Sequence, residues 1–293
     1  MARALTPGHV EHVHKRQWRP YVVFMVLIMG LGSLTEGYAA AAIGPTLAQP
    51  TFIAYFDLAT RDNATGLISS MNGVFFAGAA ILVLIIPYFA DKFGRKAAIS
   101  ISACVVIVTS ALLAGSTNIG EFITWRFFQG AGTWMMLSAV PIWMTEVAPP
   151  AIRGTLVDIH GACLLFGYAF SDWVGYGFYF LSSKDAWRGP FAVGCLPPLV
   201  LLLGIYWLPE SPRWLMINGR YEEARRNLLK LHTSEEAAIE IVQIQAQMEI
   251  DRTLRSSYWA MFAKPSYRKR TLIGMATTAS IQFSGILGKF PWR

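Results

Sequence analysis

Charged residues are scarce in this chain. They make up 15% of the 293 residues, whereas 54% of the residues are hydrophobic and the mean hydropathy is positive. A soluble domain carries roughly a quarter of its residues as charged side chains, which keep its surface in water. The deficit excludes an ordinary soluble globular protein and indicates that lipid covers much of the surface.

Cysteine is also rare, and the three cysteines present, Cys104, Cys163 and Cys195, all lie in apolar stretches. Their spacing forms neither a disulfide framework nor a metal site, so we expect them to pack as structural residues. Signatures of enzymes are missing too, since there is no nucleophile elbow, His-rich helix or phosphate-binding loop. The sequence therefore predicts no enzyme activity, no cofactor and no metal.

Six apolar stretches stand out, at about residues 21–47, 66–89, 97–114, 122–144, 155–181 and 191–208. Each is about as long as the roughly 20 residues that a helix needs to cross a bilayer. A seventh stretch begins near Thr271 and ends near Gly288. Glycine recurs inside the stretches, and small residues let membrane helices approach closely. The pattern predicts an all-α integral membrane protein: a six-helix bundle, a cytoplasmic helical segment and the start of a seventh transmembrane helix.

Lysine and arginine are concentrated in alternate connecting segments. The connections on the other side hold only Arg61, Lys184 and Arg188. The positive-inside rule then places the N-terminus and the long 209–270 segment in the cytoplasm. We interpret the net charge of +7 as a sign of an anionic membrane surface beside the protein rather than of nucleic-acid binding. Two of the short cytoplasmic connections carry glycine beside arginine, a weak sign of nested three-helix repeats.

The 209–270 segment is rich in charged, helix-forming residues. Ser234 followed by Glu235 and Glu236 predicts the start of a helix, and Leu228 and Ile239 provide an apolar face. We expect two or three short amphipathic helices here; the alternative is a disordered linker. The chain is accordingly divided into a cytoplasmic tail (1–20), a bundle (21–208), a cytoplasmic helical linker (209–270) and a partial seventh helix with the chain end (271–293).

Four motifs occur in order along the chain. They are Asp91-Lys-Phe-Gly-Arg-Lys96, Arg126-Phe-Phe-Gln-Gly-Ala-Gly132, Glu146 followed by Arg153-Gly154, and Pro209-Glu-Ser-Pro-Arg-Trp-Leu215. Together they resemble the sugar porter family of the major facilitator superfamily, over about residues 21–285. The sequences around Trp173 and Gln282 are similar to those of fungal members.

The resemblance implies an ion-pair network at the cytoplasmic ends of the helices. In the family, this network holds the two halves together when the site faces outward and breaks when the site opens inward. A charge near lipid depth normally pairs, and Arg126 is expected in the cytoplasmic third of its helix. The alternative is that these charges are only topology signals and loop anchors. Carried over to this chain, the network comprises Asp91, Arg95, Arg126, Glu146, Arg153, Glu210 and Arg213.

The resemblance also implies a sugar site near the midplane, between two halves that move by alternating access. The family's two glutamines in the fifth stretch are replaced here by Gly161 and Tyr168. Asp172 lies one turn beyond Tyr168, so we expect all three positions to line the cavity. The alternative for Asp172 is pairing with an outer loop. Gln282 retains one of two glutamines in the seventh stretch and is expected to hydrogen-bond sugar hydroxyls.

The proton-binding residue of the family's proton-coupled members is missing. Those members carry Gly-Tyr-Asp in the first helix, whereas this chain has Gly37-Tyr38-Ala39. Glu36 lies three residues before Ala39 on nearly the same helical face, and an acid inside a membrane is a functional candidate. We take Glu36 as the proton-coupling candidate; the alternative is a buried acid without a role in transport. Uniport and proton symport both remain open.

Members of the family continue through six further spans. We therefore expect the sequence to be a truncated form that lacks the C-terminal six-helix half and does not transport alone. The expected partners are a hexose or disaccharide, the lipid bilayer (of the plasma membrane, as is usual in the family) and, in symport, a proton, with no nucleic acid. The alternatives are a non-transporting sensor or regulatory half-protein, and a transporter of another small polar organic solute.

Overall fold

The computed structural model describes residues 20–148, 153–231, 233–253 and 262–283. All the regular secondary structure in these four ranges is helical, so the prediction of an all-α fold is confirmed. The helices are α1 (Pro20–Ala41), α2 (Ile43–Leu47), α3 (Pro50–Tyr55), α4 (Ala64–Leu82), α5 (Ile86–Phe93), α6 (Arg95–Gly115), α7 (Ile119–Val147), α8 (Arg153–Tyr179), α9 (Arg188–Val193), α10 (Leu196–Gly204), α11 (Pro212–Ile217), α12 (Tyr221–Leu231), α13 (Ser234–Thr253) and α14 (Pro265–Phe283).

Among the described residues, four helical segments are long and apolar enough to cross a membrane. They are Pro20–Leu47, Ala64–Leu82, Arg95–Gly115 and Arg188–Trp207. The helices α7 and α8, with 29 and 27 residues, are also long enough to cross a membrane, but they carry more polar and charged side chains. At 1.5 Å per residue each is about 40 Å long, which exceeds the thickness of a bilayer core.

The second predicted stretch, 66–89, is divided into two helices. The first, α4, ends at Leu82, and α5 begins at Ile86 with Pro87 in its first turn. Proline has no backbone N–H and its ring clashes with the preceding turn, so it is best placed in the first turn of a helix, where Pro87 lies. The predicted stretch therefore contains two helices.

Glycine brings α1 and α8 into close contact. A side chain at Gly37 would overlap the carbonyl oxygen of Leu164, and a side chain at Gly167 would overlap the carbonyl oxygen of Leu34. The spacing is the same on both helices. Gly37 lies three residues after Leu34, and Gly167 lies three residues after Leu164. We call this contact the first crossing.

The second crossing, between α4 and α7, repeats this arrangement. Gly78 faces the carbonyl oxygen of Phe127, and Gly130 faces that of Phe75, again with a spacing of three residues on each helix. The shared pattern makes α1 equivalent to α7 and α8 equivalent to α4. This is the relation expected of two three-helix repeats within one bundle.

Two apolar clusters lie at opposite ends of α7. One contains Trp143 and Met144 near the helix end together with Met25 of α1 and Leu208. The other surrounds Phe122 near the helix start. It is built largely of aromatic rings in edge-to-face contact, with centroids 5.1 to 6.1 Å apart, from Phe52, Phe56, Phe122, Trp187 and Phe191. Such pairs contribute specific geometry as well as burial.

The chain divides into two compact units, residues 1–239 and 240–293. The first unit contains α11 and α12 of the predicted linker as well as the bundle. The expected helix start at Ser234 is confirmed, because α13 begins there with two glutamates in its first turn. In the second unit, α14 presents exposed Arg268, Lys269 and Arg270 and then exposed Leu272 and Ile273.

Candidate transport site and the charged end of the bundle

Four side chains meet where α5 ends and α6 begins; we call this place the charged end and define it by Asp91, Arg95, Glu146 and Glu210. Arg95 makes a two-pronged contact with Glu146, with Nε–Oε2 and Nη2–Oε1 distances of 2.9 and 3.0 Å. Its remaining nitrogen, Nη1, donates to Asp91 Oδ1 at 3.0 Å. The side chains of Arg95 and Glu146 are only 10% and 12% exposed, so solvent screens this pair weakly.

Glu210 closes the charged end through backbone donors. Its Oε1 accepts from the N–H groups of Arg95, Lys96 and Ser211 at 3.1, 3.3 and 2.9 Å. Burial raises the pKa of the Glu210 carboxyl, although these N–H groups and the charge of Lys96 act in the opposite direction. The carboxylate lies against Gly94, which has a φ of +100° and no room for a side chain.

Three further side chains belong to the charged end, although the predicted network did not include them. Ser211 donates from Oγ to Glu146 Oε2 at 2.6 Å, Trp214 from Nε1 to the Asp91 carbonyl at 2.8 Å, and Trp143 from Nε1 to the Pro209 carbonyl at 3.0 Å. Ser211 also caps α11 by accepting from the N–H of Trp214. A serine just before a proline is a helix-start signal, and this signal was present in the sequence.

The remaining two cytoplasmic candidates are placed less completely. Arg213 lies in α11 and is partly buried. Arg153 is the first residue of α8, and its side chain lies outside the described residues.

Arg126 does not belong to the charged end, so the structure does not bring it together with the other residues of the predicted network. It lies seven residues after the start of α7 at Ile119, whereas Glu146 is next to the end at Val147. The separation is about 30 Å along the axis at 1.5 Å per residue. Arg126 and Glu146 lie near opposite ends of the helix, because α7 starts at the aromatic cluster and ends at the charged end.

Arg126 is fully buried, at 1% exposure, and its guanidinium is held by uncharged groups. Nη1 donates to Gln129 Oε1 at 2.7 Å and to the Ala39 carbonyl at 3.4 Å, and Nε donates to the Met71 carbonyl at 3.4 Å. The ring of Phe75 lies 4.3 Å from the guanidinium carbon, a cation–π contact. In the described part of the chain, none of these partners is a carboxylate.

The three candidate positions on α8 share one helical face, because they are seven and four residues apart. A side chain at Gly161 would meet no atom within 4 Å. Tyr168 is partly buried and Asp172 is exposed. This face thus has room for a side chain at Gly161 and is exposed at Asp172, whereas Tyr168 between them is partly buried. Gln282 lies in α14, but its side chain is outside the described residues.

Glu36 is buried in α1, at 7% exposure, and its Oε2 atom makes no hydrogen bond within the described residues. It interacts electrostatically with Tyr168. One turn earlier on α1, Ser33 Oγ lies 2.6 Å from Nδ1 of His160 on α8. The sequence argument did not identify Ser33 or His160, because only the first crossing brings their distant positions together.

Similarity to known proteins identifies the family of this chain. The family model described as sugar (and other) transporter matches residues 25–290, nearly the whole chain. This chain belongs to the sugar transporter family. It is 34% identical to the MFS-type transporter qa-x of Neurospora crassa and 30% identical to the glucose transporter GlcP of Staphylococcus epidermidis. These alignments cover 86% and 90% of this chain and 49% and 56% of the relatives.

The fold agrees with the family assignment. The proton:xylose symporter XylE bound to 6-bromo-6-deoxy-D-glucose superposes with a TM-score of 0.73 and 27% identity, over 80% of this chain and 54% of XylE. The sugar transporter family member described here therefore has the major facilitator fold. It spans about half the length of the curated relatives it matches.

Proposed function

We propose that this chain forms one half of the pathway of a carrier for sugars, hexoses or disaccharides, that works by alternating access. The observation that carries the proposal is the charged end of a chain that belongs to the sugar transporter family. Its paired and hydrogen-bonded charges close one end of the bundle, and such contacts can open and re-form between two states.

The membrane arrangement is part of the proposal. In it, α7 and α8 cross the bilayer together with the four apolar segments, which makes six spans. The charged end faces the cytoplasm of a cell bounded by the plasma membrane, and the N-terminus lies on the same side. The distribution of lysine and arginine supports this orientation. Cysteine accessibility on each side of sealed vesicles tests it.

The substrate is proposed to contact the face of α8 that carries Gly161, Tyr168 and Asp172. Gln282 of α14 is proposed separately as a residue that hydrogen-bonds sugar hydroxyls. Purified chain in nanodiscs and in proteoliposomes provides binding and uptake assays with radiolabelled glucose, xylose, maltose and myo-inositol. Asp172→Asn is expected to lower binding or uptake at least several-fold, since a sugar hydroxyl loses a charged acceptor. Asp185→Asn, at an exposed site that pairs with Arg188, is the matched control. Unchanged binding and uptake in Asp172→Asn would remove Asp172 from the site.

Glu36 is proposed as the residue that couples a proton to transport. Its burial, together with a carboxylate oxygen that lacks a hydrogen bond, supports a group that gains and loses a proton. Under symport, solute accumulation follows an imposed pH gradient, and Glu36→Gln abolishes this dependence. If the wild-type protein equilibrates solute without any response to the gradient, the carrier is a uniporter.

A second candidate substrate is a cyclic polyhydroxy acid. The quinate permease of Neurospora terricola is 33% identical over 86% of this chain, and both family glutamines on α8 are replaced here. Including radiolabelled quinate in the same assays separates the two candidates. Binding of quinate but of no neutral sugar would favour the acid. Binding without uptake by the chain, alone or together with the C-terminal half of a relative, would favour a sensor.

A further inference from the structure

The first crossing contains a buried acid, Glu36, and a partly buried histidine, His160. Glu36 follows Ser33 by three residues, so their side chains are neighbours on α1. Ser33 Oγ lies 2.6 Å from His160 Nδ1, and this hydrogen bond joins α1 to α8. His160 is only partly buried, whereas Glu36 is 7% exposed. Glu36 thus lies one turn beyond a hydrogen-bonded pair of groups that can exchange protons, Ser33 and His160.

The groups around Glu36 do not neutralise a negative charge. On α8 the titratable neighbours are His160, Cys163 and Tyr168, and α2 and α10 contain no charged residue. On α7, the guanidinium of Arg126 is directed to Gln129 and to backbone carbonyls. A buried carboxylate without a cation or a donor is costly, whereas the protonated acid is not.

The second crossing shows what a permanently satisfied version of this arrangement looks like. Arg126 precedes Gly130 by four residues, as Ser33 precedes Gly37. The partner of Arg126, Met71, precedes Gly78 by seven residues, the spacing between His160 and Gly167. Gln129 occupies the position equivalent to Glu36. There the charge is fixed and the amide is bonded on both sides, to Arg126 and to Ser110.

We propose that Glu36, Ser33 and His160 form one proton-holding site in the first crossing. A rotation of the Glu36 side chain brings its carboxyl to Ser33. The carboxyl then gives its proton to Ser33 Oγ as the Ser33 hydroxyl gives its own proton to His160 Nδ1. The carboxylate and the imidazolium are the products, and the reverse transfer restores the neutral pair. The site rests on the proposed function in supplying the proton for transport, and His160 takes part in it directly as the proton acceptor.

The test is nuclear magnetic resonance of the imidazole nitrogens in purified full-length chain, labelled with ¹⁵N-histidine and held in nanodiscs. The chain has five histidines, and His160→Asn identifies the signal of His160. Two groups that share a proton titrate as a pair in two steps. The wild-type His160 signal is therefore expected to change in two steps with pH, and Glu36→Gln is expected to remove one of them.

Ser33→Ala is the second variant and is expected to give His160 a single step while leaving the acid in place. Glu222→Gln removes an exposed acid on α12 and is expected to keep both steps. Identical His160 titrations in wild type, Glu36→Gln and Ser33→Ala would overturn the proposal. Two steps in a protein whose solute uptake ignores a pH gradient would support the proton site and contradict the proposed coupling. Failure of the proton-holding site and failure of the proposed proton coupling therefore give different results.

Discussion

The two glycine crossings share the same backbone contact but differ in the polar side chains beside it. Both bring helices together at reciprocal glycines, and both place polar side chains one turn from the contact. In the second crossing each of these groups has a partner, and the charge on Arg126 is permanent. In the first crossing one oxygen of Glu36 has no hydrogen bond among the described residues, and the neighbouring groups can exchange protons.

The difference shows that backbone symmetry and chemical symmetry are separable in this bundle. The glycines decide how closely the helices approach, because their backbones touch carbonyl oxygens of the partner. The residues next to the glycines decide whether the crossing only holds the helices together or also binds something. A satisfied crossing suits a fixed support, and an unsatisfied one suits a site whose occupancy changes during transport.

The largest expected effect comes from filling the crossings. Gly37→Ala and Gly130→Ala each force a side chain onto a backbone carbonyl, so each should lower the free energy of unfolding by about 3 kcal/mol. Gly73→Ala in α4 meets no atom within 4 Å and should be neutral or stabilising by up to about 1 kcal/mol. Unfolding in a detergent titration measures all three. A large loss at one crossing alone would contradict their equivalence.

A smaller loss of stability is expected when the side-chain hydrogen bonds of the second crossing are removed. Gln129→Met removes the acceptor of Arg126 and the donor to Ser110, both of them buried, and should cost about 2 kcal/mol of stability. Gln129→Glu is the control, because a carboxylate still accepts from the guanidinium and from the serine hydroxyl. Thermal unfolding followed by a thiol-reactive dye compares the pair. Equal losses in the two variants would show that the hydrogen bonds are not the cause.

The equivalent change in the first crossing should have the opposite outcome. Glu36→Gln breaks no hydrogen bond of Oε2 and removes a buried acid, so stability should stay the same or rise by up to about 1 kcal/mol. The same thermal assay, run beside Gln129→Met, gives the comparison directly. A loss comparable to that of Gln129→Met would mean that Glu36 is satisfied in the folded protein.

The charged end supplies a second acid for comparison, Glu210, with the smallest expected effect. Burial raises the pKa of Glu210, so the folded chain binds this proton more tightly than the unfolded chain does. The ionised form is therefore the disfavoured one, and stability should decline as the pH rises from the ordinary titration range of glutamate through the raised pKa. Glu210→Gln should flatten this decline, and Glu222→Gln, at an exposed position, should not. An unchanged slope in Glu210→Gln would contradict the assignment.

Much of this architecture could be predicted before the tertiary structure was considered. Motifs such as Asp91-Lys-Phe-Gly-Arg95 identified the family, and the membership of Asp91, Arg95, Glu146 and Glu210 in one cluster agrees with the prediction. Such motifs work because glycine and charge at a helix boundary have few structural alternatives. Arg126 does not join this cluster, because it lies near the start of α7 whereas Glu146 lies near its end.

By itself, the sequence determined that the protein is a membrane protein, that its fold is helical and to which family it belongs, because hydropathy and boundary motifs are local properties of the chain. The tertiary structure alone decided which polar groups are left without partners. Ser33 and His160 are 127 positions apart, and nothing local to either indicates the other. Their meeting depends on how closely Gly37 and Gly167 let two helices approach, and that distance is a property of packing between segments far apart in the chain.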